Sequence, residues 1–158
     1  MSRSLLALGA ILLLGCSQVL AQAPAPSGSL IEIRAVSTVP ASGFRLKKST
    51  NDNSFYVADT ALVSDDDIQE ASTDTSALNP GVLLLYVRLK PGAAARLHEF
   101  TQRHVGERLA LLFNGQLTGT PPIIRNAIAG PTLTITGPPS ATSQQFAAAV
   151  TARWPSAH

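Results

Sequence analysis

The sequence predicts an α+β fold, a two-layer sandwich of one small antiparallel or mixed sheet and two main helices. Three observations predict it. The run VLLLYVRL at 82–89 is typical of a central strand, two stretches have helical periodicity, and an Asn-Gly pair at 114–115 lies between two extended segments. The predicted elements follow a βαββ–βα order with a ferredoxin-like tendency, preceded by an extended N-terminal section.

The first residues have the layout of a secretory signal peptide and are excluded from the fold. Arg3 precedes an apolar stretch from Leu5 to Leu14, which is too short to cross a bilayer as a helix. Residues 22–29, QAPAPSGS, have the composition of a flexible linker. The chain is therefore predicted to be exported to the periplasm or to the periplasmic side of a membrane, with a single domain over 30–158.

Two processing sites compete in this segment. Leu13-Leu14-Gly15-Cys16 resembles a bacterial lipobox, which would remove 1–15 and make Cys16 the lipid-bearing first residue. Val19-Leu20-Ala21 resembles an ordinary signal-peptidase site, which would remove 1–21. In that second case Cys16 is only a small residue inside the discarded signal. The sequence favours the lipobox, because Cys16 lies at the end of the apolar stretch.

Composition excludes some classes of protein. Cys16 is the only cysteine, so the exported domain has no disulfide and depends on its core. Once Arg3 is removed with the signal, eleven basic residues stand against ten acidic ones, and aromatic residues make up only 5% of the chain. A nearly neutral domain of this kind lacks the basic surface of a nucleic-acid-binding protein, and no such partner is expected.

The N-terminal part of the domain is predicted to be mostly extended. Leu30–Val36 alternates as a first strand, Lys47–Asn53 is polar and typical of a loop, and Ser54–Val57 begins another strand. Ser64 then precedes Asp65–Asp67. A serine cap followed by acids predicts the start of a helix, because the free N–H groups of the first turn favour negative charge.

The middle of the chain contains the strongest periodic signals. Val82–Leu89 is apolar on both faces until Arg88, which predicts a central strand covered by helices. Ala93–Val105 has an apolar stripe and predicts a helix that Gly106 ends. Arg108–Phe113 predicts the next strand, with alternate apolar residues on one face.

A hairpin is predicted where this strand ends. Both central residues of a type I′ turn need positive φ, and Asn114-Gly115 is the pair that best supplies them. Gln116–Thr118 is predicted to return antiparallel. Pro121 and Pro122 cannot donate to a strand ladder, so they stop the return. The return arm is therefore predicted to be short and to form a sheet edge.

One strand and one helix complete the predicted domain. Thr132–Thr136 alternates cleanly, and Gly137 with the two prolines after it ends this strand. Ser140 or Thr142 caps the final helix, and Thr142 with Gln145 fits a capping box. The apolar side of this helix comprises Phe146, Ala149, Val150 and Trp154.

No catalytic, cofactor-binding or metal site is predicted. His98 and His104 are six residues apart and do not form the i, i+4 pair of a zinc site, and His158 stands alone. The Asp65–Asp67 run lacks the alternate spacing, turn glycine and distal glutamate of a calcium loop. The sequence has no nucleophile elbow and, after Cys16, no cysteine nucleophile. The protein is therefore predicted not to be an enzyme.

The run VGERLALLFNGQLTGTPPIIRNAIAGPTLTITG, 105–137, resembles the head subdomain of the first periplasmic domain of SecD, the protein-export accessory subunit. That family shows a helix ending in Val-Gly, a strand of the type LAIVLDGKV, a proline-bearing stretch, and I-x-G-G-x-x-x-I-x-G before a helix. Upstream, the stretch 56–71 resembles the family's lead-in. The likeness covers about 55–154. The candidate structural turn motif comprises Asn114, Gly115, Pro121, Gly130 and Gly137.

The resemblance implies an exported binding module that contacts translocating polypeptide or the export machinery. The exposed edge of the short return strand at 116–118 is the place where an extended peptide is expected to bind, by strand addition. Asn114 replaces the family's usual aspartate, and Pro131 stands where a second glycine is expected. SecD itself carries transmembrane helices with proton-coupling carboxylates, which this sequence does not contain, so binding alone is expected. The alternative is an envelope lipoprotein that reuses the fold to bind an unrelated partner in envelope assembly or stress response.

Overall fold

The computed structural model describes residues 28–76, 79, 82–137 and 140–155. The predicted signal segment with Cys16, most of the predicted linker, the Pro138-Pro139 pair and His158 lie outside the described residues. In chain order the elements are β1 (Ile31–Ser37), β2 (Phe44–Lys48), β3 (Ser54–Val63), a one-turn 3-10 helix (Asp65–Asp67), β4 (Ile68–Thr75), β5 (Leu83–Leu89), α1 (Pro91–Arg103), β6 (Arg108–Phe113), β7 (Gln116–Leu117), β8 (Thr132–Thr136) and α2 (Ser140–Arg153).

The strands form two sheets, both with antiparallel strand pairs. The five-stranded sheet has the order β2-β3-β1-β6-β7, and the three-stranded sheet has the order β4-β5-β8. The α+β class is confirmed, as is the order of strand, helix, hairpin, strand and helix from β5 onward. The ferredoxin-like arrangement is not confirmed, because the described strands divide over two sheets instead of forming one.

The five-stranded sheet curls until its two outer strands meet. A parallel bridge joins Ser49, just after β2, to Leu117 in β7. The N–H of Thr50 donates to the carbonyl of Leu117 at 3.2 Å, and the Ser49 hydroxyl donates to the carbonyl of Gly119. The return strand is as short as predicted, but its outer side is occupied. The prediction of a free edge at this strand is therefore wrong.

The predicted hairpin is confirmed at 114–115. Asn114 has φ +49° and Gly115 has φ +76°, so both central residues lie in the left-handed region, as a type I′ turn requires. After Pro121 and Pro122 the chain stays hydrogen-bonded to the curled sheet. The carbonyl of Pro122 accepts the N–H of Leu109 at 3.1 Å, and the chain runs back beside the start of β6.

Two apolar cores lie on opposite faces of the curled sheet. The small core comprises Val36, Val57, Ala110, Leu112 and Leu117. The main core comprises Ile31, Ile33, Val63, Ile68, Ala71, Leu85, Val87, Leu89, Ala93, Leu97, Leu109, Phe113, Ile124, Phe146 and Val150. Strand β6 contributes to both cores, because successive side chains of a strand point to opposite faces. The predicted alternation of this strand is therefore confirmed.

Both helices pack on the main core. In α1, Ala93, Leu97 and Thr101 are buried, and Gly106 has φ +96° where the chain leaves the helix for β6. In α2, the ring of Phe146 lies 4.5 Å from that of Phe113, and Trp154 packs against the main core as the predicted anchor of the helix. The side chains of the predicted caps, Ser140 and Thr142, lie outside the described residues. None of the described helices has the length and apolarity needed to cross a membrane.

Three sequence predictions for the N-terminal half differ from the structure. The predicted loop at 47–53 begins inside β2, which the sequence analysis did not predict. The predicted helix after Ser64 is a single 3-10 turn, because Ile68 takes an extended conformation and starts β4. Strand β5 is central, but only one face is covered: Tyr86 and Arg88 are exposed on the other face.

Candidate functional site

An open groove of about 890 Å³ lies between the curled sheet and β8. One wall consists of β8 and the end of β5 that pairs with it. The other wall consists of residues 118–120 and Pro122, together with Thr50 and Asn51. Apolar side chains line most of the groove, and they comprise Ile33, Leu83, Leu109, Leu111, Ile128, Leu133 and Ile135.

The groove is uncharged. None of the described residues that line it is acidic or basic, and the polar ones are threonine and asparagine side chains. A concave, mainly apolar surface with a few hydrogen-bonding groups suits an apolar ligand that also has polar atoms. Since no acid or base faces this space, its lining offers a ligand contact area and hydrogen bonds rather than proton transfer.

Strand β8 is one of the two outer strands of the three-stranded sheet. The N–H of Gly137 donates to the carbonyl of Leu83 at 2.8 Å, and the N–H of Leu89 donates to the carbonyl of Pro131 at 2.7 Å. These bonds fix the register, so the odd-numbered residues of this stretch direct their backbone groups toward β5. The residues whose N–H and C=O point away from β5 are Thr132, Thr134 and Thr136.

The opposite wall offers few backbone groups to a ligand. Pro121 and Pro122 have no N–H, and their carbonyls accept hydrogen bonds from the Arg108 side chain at 2.6 Å and the Leu109 N–H at 3.1 Å. The N–H of Thr118 donates to Leu111 at 3.1 Å. These groups are directed into the protein, so the groove is asymmetric: backbone groups are available mainly on the β8 side.

The predicted turn motif is only partly related to the groove. Asn114 and Gly115 form the exposed tip of the hairpin and do not line it. Pro121 is buried beside the groove-lining Pro122. Gly130 has φ +87° in the turn that leads into β8.

Gly137 does line the groove. A Cβ on this residue would lie 3.0 Å from the Leu83 side chain and 3.2 Å from its carbonyl oxygen. Close approach of the two strands, not positive φ, is therefore the reason for a glycine here. Cys16, the candidate lipidation site, lies outside the described residues.

The two described histidines, His98 and His104, lie in structural contacts. Nδ1 of His98 is 3.0 Å from the carbonyl oxygen of Ile128. The ring of His104 stacks on Phe100 with 4.0 Å between centroids, and its Nδ1 is 2.7 Å from the Phe100 carbonyl oxygen. Within the described part of the chain, no group of three His, Cys, Asp or Glu residues is arranged to hold a metal ion.

The three aspartates stabilise the start of the fold. Asp65 is buried, and its carboxylate accepts the N–H of Leu30 at 2.8 Å and the N–H of Ile31 at 2.9 Å. The carbonyl of Asp66 accepts from the Lys90 ammonium at 2.7 Å. The 3-10 turn therefore holds both the beginning of β1 and the segment that leads into α1.

Asp67 joins this turn to α1. Its carboxylate accepts a bond from the Arg96 guanidinium at 2.8 Å and one from the N–H of Ser64 at 3.0 Å. Partial burial raises the pKa of Asp67, but the bonds from Arg96 and Ser64 and the charge of Arg96 outweigh it. The pKa of this carboxyl is therefore below its ordinary value.

Comparison with known proteins identifies the family of this chain. The model of the SecDF P1 head subdomain matches residues 42–152. The chain belongs to this family. The resemblance proposed from the residues is thus confirmed, and the match extends further toward the N-terminus than 55–154, so that it includes β2. No curated protein sequence matches the chain.

Two solved structures share the fold of this P1 head protein. The first is a structure of SecDF, described as a membrane component that enhances protein export. It has 18% sequence identity and a TM-score of 0.54, and the match covers 76% of this chain and 60% of that one. SecDF in a super-membrane-facing form gives 20% identity and a TM-score of 0.54, with 75% of this chain and 18% of that one covered. The P1 head protein therefore spans less than two thirds of either chain.

The groove was not predicted from the sequence, although two sequence patterns that supply its lining residues were recognised. The apolar run at 82–89 supplies Leu83, and the alternating strand at 132–136 supplies Leu133 and Ile135. Neither pattern shows that these residues lie beside Leu111, because that neighbourhood depends on how the two sheets meet.

Proposed function

We propose that this protein is an exported, non-enzymatic module that assists protein export by binding extended, apolar polypeptide in the groove between the curled sheet and β8. The uncharged, apolar lining of the groove carries the proposal. Membership of the P1 head family supports it, since SecDF is described as enhancing protein export. The absence of charge from the described lining also favours binding over catalysis.

A chain in transit across the envelope has the matching chemistry. It is unfolded, so its apolar side chains are exposed, and its backbone N–H and C=O groups are not yet paired with each other. Burying one large apolar side chain contributes about 1.5–3 kcal/mol before the cost of ordering the chain. A groove of this size therefore supports the weak, reversible binding that a passing polypeptide requires.

We expect Leu111→Lys to weaken binding of unfolded polypeptide by about tenfold or more, because it places a charge against the apolar lining. Leu111 lies in β6 opposite Ile33 and lines the groove. Fluorescence anisotropy with a labelled, reduced and alkylated protein measures the affinity.

The matched control is Leu46→Lys, the same substitution on β2, where the leucine is 60% exposed and does not line the groove. Equal affinity of the two variants would contradict the groove as the binding site. Preference for one folded envelope protein over unfolded chains would instead support the alternative, a module for envelope assembly or stress response.

We also propose that a lipid on Cys16 holds the domain at the periplasmic side of a membrane. Among the described residues, the first with a hydrogen bond into the domain is Leu30, so about fourteen residues would separate the lipid from this point of the fold. A linker with the predicted coil composition and this length would span roughly 20 Å, which would keep the domain close to the membrane surface.

Cys16→Ser is expected to move the protein from the membrane fraction to the soluble periplasmic fraction, because no acyl chain remains to insert into the bilayer. Fractionation followed by immunoblotting measures the distribution. A parent protein that is already soluble, with a mature N-terminus at Gln22, would show that cleavage follows Ala21 and would contradict lipidation.

A further inference from the structure

We propose that the groove binds polypeptide by strand addition, with the ligand pairing antiparallel to the free edge of β8 as a fourth strand of the three-stranded sheet. This inference rests on the proposed function and defines how that function is performed. It replaces the hairpin strand β7 as the place for strand addition, since β7 is bonded on its outer side to Thr50.

The described backbone of β8 supplies the hydrogen-bonding groups for such a strand. Thr132, Thr134 and Thr136 direct their N–H and C=O away from β5, toward the open side of the sheet. Leu133 and Ile135, whose side chains lie on the core face of the sheet, line the groove, and so do Thr134 and Thr136, whose side chains lie on the other face. Residues from both faces of a strand line the same groove when the edge of the strand faces it. An added strand would form backbone hydrogen bonds with β8 on the side opposite β5 and so extend the sheet by one strand.

Apart from β7, whose outer side is occupied, the other described outer strands carry charged residues that discourage pairing, and β8 does not. Strand β2 contains Arg45, Lys47 and Lys48, and β4 contains Glu70 and Asp74. Charged side chains on outer strands oppose the addition of further strands. The sequence of β8 is Thr-Leu-Thr-Ile-Thr, with no charge and no proline between its ends.

The two prolines across the groove keep this edge available. Pro121 and Pro122 have no N–H, and their carbonyls are bonded to Arg108 and Leu109, so these two residues cannot form a ladder with β8. The proline pair therefore ends the hairpin strand and also leaves space for another chain beside β8.

The geometry specifies which ligand fits. In antiparallel pairing, side chains directly opposite one another lie on the same face of the sheet. Ligand residues opposite Leu133 and Ile135 therefore lie over the apolar lining near Leu111, and those opposite Thr134 face solvent. Because the described lining carries no charge, the preferred ligand is an extended, uncharged segment with apolar residues at every second position.

A synthetic peptide tests the pairing directly. The probe has seven alternating threonine and valine residues, begins and ends with threonine, and carries a lysine and a blocked end on each side for solubility. With valines over the apolar lining, the threonine amides point toward β8 and the valine amides point away. Methylating the threonine amide nitrogens should weaken binding to the full chain by about tenfold or more, and methylating the valine nitrogens should change it by less than about threefold.

A variant pair tests the same edge from the protein side. Thr134→Pro removes an outward N–H without touching the bonds to β5, and Thr134→Val keeps that N–H. Thr134→Pro should lose binding about tenfold and Thr134→Val should retain it, with thermal melts verifying that both are folded. Since the methylated peptides are tested on the parent protein, an unfolded variant does not remove the test.

The outcomes separate this inference from the proposed function. Binding that is weakened equally by both methylation patterns overturns strand addition and leaves groove binding intact. Loss confined to the valine-methylated peptide overturns the antiparallel direction. No binding of the unmodified peptide or of unfolded polypeptide overturns both proposals. A parent dimer that Thr134→Pro converts to monomer would assign the edge to a second copy of the chain and also overturn the inference.

Discussion

Replacing Asp65 by alanine is expected to lower the free energy of unfolding by about 3 kcal/mol, since two backbone N–H groups would lose their acceptor. The Asp65 carboxylate accepts the N–H of Leu30 at 2.8 Å and that of Ile31 at 2.9 Å, and Ile31 is buried. Arg153 lies 3.4 Å from the carboxylate but is more than half exposed, so this ion pair contributes little. The loss concerns the backbone at the start of the fold.

Urea denaturation and thermal melting of matched variants isolate this effect. In Asp66→Ala the change lies in the same turn, but the Asp66 side chain is exposed, and the bond from Lys90 goes to its carbonyl, which alanine retains. We expect a melting temperature lower by roughly 10 °C for Asp65→Ala and almost no change for Asp66→Ala. Asp65→Asn keeps one acceptor oxygen and should lie between them. Equal destabilisation of the alanine variants would mean that charge in the turn, not the two backbone bonds, stabilises β1.

The elements predicted well from the sequence are those with a local cause. The hairpin at 114–115 was identified because two adjacent residues must accept positive φ, and β8 because alternation over 132–136 is unbroken. Both helices have apolar residues at helical spacing and pack on the main core. In each case a few neighbouring residues determine the local conformation, and the tertiary contacts do not alter it.

The elements predicted wrongly depend on strand pairing that the local residue pattern does not show. Strand β2, FRLKK, is largely exposed and is held by its pairing with β3, so it has no apolar pattern to detect. The signals of a helix start at Ser64 are genuine, and the Asp67 carboxylate does accept the Ser64 N–H. Pairing of Ile68 with Leu89 nevertheless diverts the chain into β4 after one turn. Tertiary pairing outweighed helix propensity there.

The candidate site was less predictable than the fold for the same reason. The sequence placed strand addition at the hairpin because two prolines end its return strand. It could not show that Ser49 and Thr50 would occupy that edge, since the contact joins residues nearly seventy positions apart. Nor could it show that β8 would be an outer strand. The residues indicate that a sheet edge could accept an added strand, but which strand supplies that edge depends on the order of the strands in the two sheets.

Leu117→Ala is expected to destabilise the protein by about 3 kcal/mol, the usual cost of a cavity left by a buried leucine. Leu117 is 2% exposed and is the contribution of β7 to the small core. Its backbone carbonyl also receives the Thr50 N–H that joins the two outer strands of the curled sheet. Since five of the described residues make up the buried part of the small core, few neighbours can move to fill the space.

The same substitution at Leu46, which is 60% exposed on β2, is the control and should change stability by less than about 0.5 kcal/mol. If Leu117 packing holds the curled sheet together, amide hydrogen exchange at Thr50 should accelerate in Leu117→Ala more than exchange in the three-stranded sheet. That sheet is held by separate contacts, and its β5–β8 pairing does not involve β7. If hydrogen exchange instead accelerates uniformly across both sheets, the two cores unfold as one unit. In that case β7 alone does not hold the two outer strands of the curled sheet together.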